Sequence, residues 1–145
     1  MAAQPSTESS TVEDYLEIIL QLIDTKGYAR VADIAGGLSI SQASVSNMMR
    51  RLDDKGLLKY EKYRGMTLTS EGERLAKRIV KRHSILEEFL ALLGIDKKTA
   101  YADVEGMEHH VSSGTLRGLE QIIEELKKNP KMGDRVRSAV SREQH

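Results

Sequence analysis

The stretch VADIAGGLSISQASVSNMMRRLDDKGLLKYEKYRGMTLTS, residues 31–70, decides the fold. Ile34, Ala35 and Leu38 fall at helical spacing and predict a short helix over residues 31–37, which Ser39-Ile40-Ser41 interrupts. Ser41 or a neighbour caps a helix over residues 42–55, whose apolar stripe is Val45, Met48, Met49 and Leu52 and which Gly56 stops. Residues 57–63 and 66–68 are β-prone, and Arg64-Gly65 between them is a hairpin signal. Thr69 and Ser70, with Glu73 three residues beyond Ser70, read as a capping box that starts a long helix, which Gly94 closes.

Upstream, Val12, Tyr15, Leu16, Ile19, Leu22 and Ile23 predict one more helix, ending at Gly27. Residues 1–10, rich in Ser and Thr with Gln4 and Pro5, have almost nothing to bury and read as a disordered arm. Downstream, a helix is expected over residues 97–112. After Gly114 a last amphipathic helix carries Leu116, Leu119, Ile123 and Leu126 as far as Asn129-Pro130, and the tail beyond is weakly specified. The order helix, helix, turn, helix, two strands, helix is the winged helix-turn-helix plan. The expected fold is therefore mainly α with a small β-hairpin wing: an N-terminal winged helix-turn-helix over residues 11–71, followed by a helical domain over residues 72–145. One residue departs from the plan, because such motifs often carry Gly at the tight turn where this chain has Ser39.

The 145 residues have a net charge of zero, but residues 26–82 hold 13 basic against 6 acidic residues, so a segment of +7 is balanced by −7 elsewhere. A basic module attracts phosphates, while an acidic remainder solvates the protein or collects cations. Opposite the apolar stripe of the third helix, Ser44, Asn47 and Arg51 line up at i, i+3 and i+7, flanked by Gln42, Ser46 and Arg50. These groups reach base edges and phosphates, and Lys62 and Arg64 at the wing tip would hold phosphates. Double-stranded DNA is the expected partner. With no Cys, the chain has neither disulfides nor thiolate ligands. No apolar run approaches the roughly 18 residues of a membrane span, and the first ten residues lack the features of a signal peptide. The expected location is the cytoplasm.

Two acidic clusters flank the basic module. Asp14 with Glu17, and Glu105 with Glu108 and His109, are spaced three and four apart, so each group shares a helix face and offers converging ligands. His83 lies on the stripe Leu75, Ile79, His83, Leu86, Leu90, where a polar ring needs a partner. Together these are four carboxylates and two imidazoles, a hard oxygen–nitrogen set large enough for two divalent ions that share carboxylates. The composition suits manganese or iron(II), and zinc accepts it too. His110 reads as a structural or outer residue, and His145 as incidental.

Asp14-Tyr15-Leu16-Glu17, Gly27-Tyr28-Ala29-Arg30-Val31, Tyr60-Glu61-Lys62-Tyr63-Arg64-Gly65 and Asp103-Val104-Glu105-Gly106-Met107-Glu108-His109-His110 resemble the diphtheria-toxin-repressor-like metalloregulators, in particular their short manganese-responsive branch. The resemblance covers about residues 11–128. It implies that Asp14, Glu17, His83, Glu105, Glu108 and His109 bind a pair of manganese ions, two per subunit. Relatives responsive to iron carry sulfur ligands at the places of Asp14 and Glu105. It further implies a homodimer assembled through the C-terminal helices, with residues 72–145 as the metal-binding and dimerisation domain, and repression of manganese uptake genes. Manganese at a dinuclear site between the domains is expected to favour the dimer conformation that fits a pseudo-palindromic operator. Three departures stand beside these matches: a leading extension of ten residues, an individual recognition-helix sequence, and no counterpart of the larger relatives' extra C-terminal domain.

Two other classes of function stay open on the residues alone. One is a winged-helix regulator of a small organic ligand, with acidic clusters serving solubility. The other is a dinuclear metal hydrolase, against which stand the absence of a Gly-rich binding loop and of a nucleophile motif. The preferred reading is a regulator that is not an enzyme and has no organic substrate or membrane partner.

Overall fold

The computed structural model describes residues 5–61 and 64–143, with side chains described from residue 12 onward. Its elements are α1 (Pro5–Lys26), α2 (Val31–Leu38), α3 (Gln42–Asp54), β1 (Leu58–Glu61), β2 (Gly65–Leu68), α4 (Ser70–Leu92), α5 (Lys97–Met107), α6 (Ser113–Lys128) and α7 (Pro130–Glu143). The chain divides into two compact units, Met1–Val80 and Lys81–His145. That division falls inside α4. No helix among the described residues is long and apolar enough to cross a membrane.

In the first unit the predicted stripes become one core. Leu16, Ile19, Ile34, Val45, Met49, Leu52, Leu58 and Ala76 are buried together, and the side chains of Leu22, Ile23 and Leu68 pack partly against them. The wing is a two-stranded antiparallel hairpin in the register Leu58↔Leu68, Lys59↔Thr67, Tyr60↔Met66 and Glu61↔Gly65. Asp53, at the end of α3, accepts a hydrogen bond from the Tyr60 amide at 3.0 Å. The Met66 amide donates to the Ala29 carbonyl at 2.9 Å, which ties the hairpin to the segment before α2. Helix α1 begins at Pro5, inside the stretch read as a loose arm. A proline fits the first helical position, because its missing N–H would have no intrahelical partner there.

The start of α4 differs in detail from the expected capping box. Thr69 alone is the cap: its hydroxyl accepts from the Gly72 amide at 3.1 Å and donates to the Gly56 carbonyl at 2.7 Å. Glu73 instead pairs with Lys77 at 2.7 Å. Gly72 is buried, and a Cβ there would land on the Leu57 carbonyl, so this turn accepts no other residue without moving backbone.

In the second unit Leu86, Leu90, Ala100 and Val104 form a smaller core, with Phe89, Leu93, Met107, Leu116 and Leu119 partly buried against it. Asp96 caps α5 through the Thr99 amide at 3.0 Å, and Ser112 caps α6 through the Thr115 amide at 3.2 Å. Two expectations change here. Helix α5 stops at Met107 rather than near residue 112, because the chain tightens into a turn in which the His110 amide bonds the Met107 carbonyl at 2.9 Å. The tail, weakly specified in sequence, forms α7. Asn129 accepts from the Met132 amide at 3.3 Å, and Pro130 takes the first helical position. Its buried face is small, built on Gly133 with Val136, Arg137 and Val140 half-buried, and its apolar residues Met132, Val136 and Val140 form only a short stripe among charged neighbours.

Three helices end by one device, in which a left-handed residue is followed by an amide that bonds back five positions. The bonds are Ile40 to Ala35 at 3.1 Å, Leu57 to Leu52 at 3.0 Å and Ile95 to Leu90 at 3.1 Å. The left-handed residues are Ser39 (φ 57°), Gly56 (φ 77°) and Gly94 (φ 83°). Glycine occupies that conformation without a Cβ clash, whereas Ser39 carries it at a cost of roughly 1 kcal/mol. The helix-turn-helix turn thus has the geometry for which glycine is usual, despite the residue. Ser39→Gly should stabilise the fold by about 1 kcal/mol and raise Tm by roughly 2–4 °C. A thermal melt showing an unchanged or lowered Tm would contradict this account of the turn.

Candidate metal centre and nucleic-acid interface

Helix α3 exposes the polar face that its sequence pattern implied. Gln42, Ser44, Asn47, Arg50 and Arg51 are all exposed, while Ser46 is half-buried. The side chains are not all unconstrained. Ser41 caps the helix by accepting from the Ser44 amide at 3.1 Å, and its hydroxyl lies 2.9 Å from that of Ser44. Arg50 donates to the Asn47 side-chain oxygen at 3.2 Å, which leaves the Asn47 amino group as the donor for other partners. At the wing, Arg64 is exposed and sits 3.8 Å from Glu61, an ion pair weak enough to exchange for a phosphate. Lys62, the other wing residue singled out from sequence, lies outside the described residues.

The acidic and imidazole residues fall into two groups. Asp14 and Glu17 stand on α1, half-buried, on either side of the buried Tyr15 and Leu16. Glu17 also lines a cleft of about 220 Å³ with Leu20, Gln21 and Asp24. In the second unit, His83, Glu105 and Glu108 come together, with one ligand atom of each lying within 4.8 Å of the others. Helix α4 supplies His83 from its apolar stripe, and α5 supplies Glu105 one turn before Glu108, which is the residue that ends the helix. The Glu108 amide still bonds the Val104 carbonyl at 2.9 Å, so the three-residue spacing keeps both carboxylates on one side although the helix stops.

Glu108 is the one buried charged residue among the described residues, with 2% of its surface exposed. Its carboxylate meets His83 Nδ1 at 2.8 Å and His109 Nε2 at 3.5 Å. Burial pushes the Glu108 carboxyl above its ordinary value and neighbouring Glu105 pushes the same way, while His83 opposes both. A group shifted in this sense favours the proton in the folded state. The fold therefore loses stability as pH rises through the Glu108 pKa, unless a cation takes the place of the proton. Oxygen and nitrogen donors with no sulfur suit a divalent ion of the manganese, iron(II) or zinc kind.

One participant was not singled out from sequence: Glu87, whose carboxylate lies 3.4 Å from His83 Nε2. Its place four residues after His83 on α4 was the available signal. His110, read as structural, is exposed.

Comparison with known proteins agrees with both halves. Residues 8–66 match the family described as iron dependent repressor, N-terminal DNA binding domain, and residues 69–136 match iron dependent repressor, metal binding and dimerisation domain. The HTH-type transcriptional regulator MntR of Lysinibacillus sphaericus is 48% identical over 120 residues, covering 83% of this chain and 86% of that protein. Its namesake in Bacillus subtilis is 41% identical over 135 residues, covering 93% and 95%. Among solved structures, T. acidophilum IdeR superposes with a TM-score of 0.69 at 28% identity, and the manganese regulator SloR with 0.68 at 29%. This chain spans about half the length of those two solved chains, 53% in each case. The chain belongs to the iron dependent repressor family and contains both its DNA-binding and its metal-binding and dimerisation domains, which makes it a metal-dependent transcriptional regulator and not an enzyme.

Proposed function

We propose that this protein is a manganese-responsive repressor of manganese uptake genes, acting in the cytoplasm as a homodimer on a pseudo-palindromic operator. The observation that carries the reading is the buried Glu108 carboxylate held against His83 with Glu105 beside it, in a chain whose other unit exposes a polar recognition helix. Buried charge is costly and is retained where it binds a cation or pairs with one. In this reading Asp14 and Glu17 join His83, Glu105, Glu108 and His109 as ligands to two manganese ions. The absence of sulfur from the set and the likeness to a protein described as a manganese regulator support manganese over softer metals. Gln42, Ser44, Ser46, Asn47, Arg50 and Arg51 would address the major groove, with Lys62 and Arg64 on phosphates.

A metal held by carboxylates that otherwise repel one another shifts the population toward the state in which they converge. If that state is the one that fits two half-sites, metal and DNA strengthen each other's binding by the same factor, commonly 5–150-fold. Operator affinity measured with manganese should therefore exceed that of the chelated protein by this order. Glu105→Ala and His83→Ala should abolish most of the difference while leaving weak metal-free binding intact. Equal affinity of the intact protein with and without manganese would defeat the proposal.

Glu108 gives an independent thermal test. Manganese at a hundredfold excess over its dissociation constant should stabilise the protein by about 2.7 kcal/mol, roughly 5–10 °C in Tm. Glu108→Gln should lose that rise, and its metal-free Tm should be no lower than the parent's, because a buried carboxylate has been replaced by a neutral isostere. Retention of the full manganese-induced shift would remove Glu108 from the ligand set.

A further inference from the structure

Beside the recognition helix lies a groove of about 300 Å³ that shares Gln42 and Ser46 with the α3 face and extends beyond it to Arg30, Tyr60 and Gly65. Its polar lining is Arg30, Gln42, Ser46 and Tyr60, and it contains no carboxylate. Val31, Ala32 and Gly65 complete the wall, so three parts of the DNA-binding unit meet there: the entry to α2, the first turns of α3 and the wing. At about 30 Å³ per water molecule, the space is ample for a phosphodiester linkage.

Arg30 is the one cation in the lining. Its guanidinium sits 4.8 Å from the centroid of the Tyr28 ring. Stacking of this kind pre-orients a planar guanidinium without neutralising it, and its N–H edge, which lies in the plane, can still donate two parallel hydrogen bonds to a phosphate. Arg30 forms no ion pair with a carboxylate among the described residues. The nearby acid, Asp33 on α2, is paired instead with Lys26 at 3.4 Å. Gln42 and Ser46, four apart on α3, add side-chain donors, and Tyr60 adds a phenol. Arg30 also occupies the N-cap position of α2 without capping it through its side chain, so the amides of the first turn have no partner within the helix.

We propose that this groove binds one backbone phosphate of the DNA duplex, with Arg30 as its principal ligand, Gln42, Ser46 and Tyr60 as auxiliary donors and Tyr28 as the residue that positions Arg30. The assignment rests on the DNA-binding reading and deepens it. A contact to phosphate fixes the register of the recognition helix in the groove without reading sequence. It assigns to Arg30 a role separate from those of Arg50 and Arg51, which stand further along α3.

The test uses the full-length, manganese-loaded protein and two duplexes, one selected by the parent protein from random-sequence DNA and one scrambled version of it. Arg30→Ala should weaken binding to both by about the same factor, at least tenfold near 0.1 M salt, and should reduce the slope of log affinity against log salt by about 0.9. Arg30→Lys should keep the slope while recovering only part of the affinity, since it restores charge but not the bidentate fork. Tyr28→Leu should weaken binding to a smaller degree with the slope unchanged. Manganese uptake by calorimetry and the Tm of Arg30→Lys should match the parent. Unchanged affinity and slope in Arg30→Ala would overturn the assignment, and so would a loss confined to the selected duplex, which would make Arg30 a reader of bases. Failure of the parent protein itself to select any duplex would instead strike the DNA-binding reading, so the two failures are distinguishable.

Discussion

A carboxylate with 2% of its surface exposed cannot keep its charge without compensation, and the contact between Glu108 and His83 at 2.8 Å supplies part of it. An imidazole at that distance meets the charge only partially, and Glu105 works against it. The cluster is therefore balanced between a proton and a cation as the neutralising partner. A divalent ion satisfies several carboxylates at once, which no single proton or imidazole does. The rest of the second unit serves to hold this arrangement: α4 brings the histidine in on an apolar stripe, and the small core of Leu86, Leu90, Ala100 and Val104 fixes α5 against it.

The DNA-binding unit is organised by a different constraint, the need to present a polar helix face from a tight aliphatic core. Val45, Met49 and Leu52 of α3 are fully buried, so the opposite face has little rotational freedom and its side chains project in a defined order. Asp53 pins β1, Thr69 joins the end of α3 to the start of α4, and the Ala29–Met66 bridge holds the hairpin to the segment before α2. These are main-chain and short-side-chain contacts, which vary less with rotamer than long surface ion pairs do. A unit braced in this way can carry Arg30, Gln42 and Tyr60 at fixed positions around one groove.

Several features could be read from residues alone because their physical cause is local. The stripes of α1, α3 and α4 announce helices since burial recurs with the helical period, and the β-prone runs on either side of Arg64-Gly65 announce a hairpin. Ligand types at three- and four-residue spacing marked Glu105, Glu108 and His109 before any fold was known. The misreadings have local causes as well. Helix α7 carries Met132, Val136 and Val140 at four-residue spacing, but these few apolar residues stand among many charged ones, so they are easily passed over beside the longer stripes of α1 and α4. The capping role fell to Thr69 because Gly72, three residues on, must approach Leu57.

What the linear chain determined by itself was the inventory: helical periods, a wing, a sulfur-free ligand set and a basic segment set against acidic flanks. Those follow from side-chain chemistry and from spacings of three or four residues, which a helix converts directly into shared faces. Only the tertiary structure decided that His83 meets Glu108 across 25 positions, that Ser39 takes a left-handed conformation, and that Arg30, distant in sequence from Tyr60, shares a groove with it. Such pairings depend on how separate elements pack, and packing is set by the summed shape of many buried side chains rather than by any one spacing.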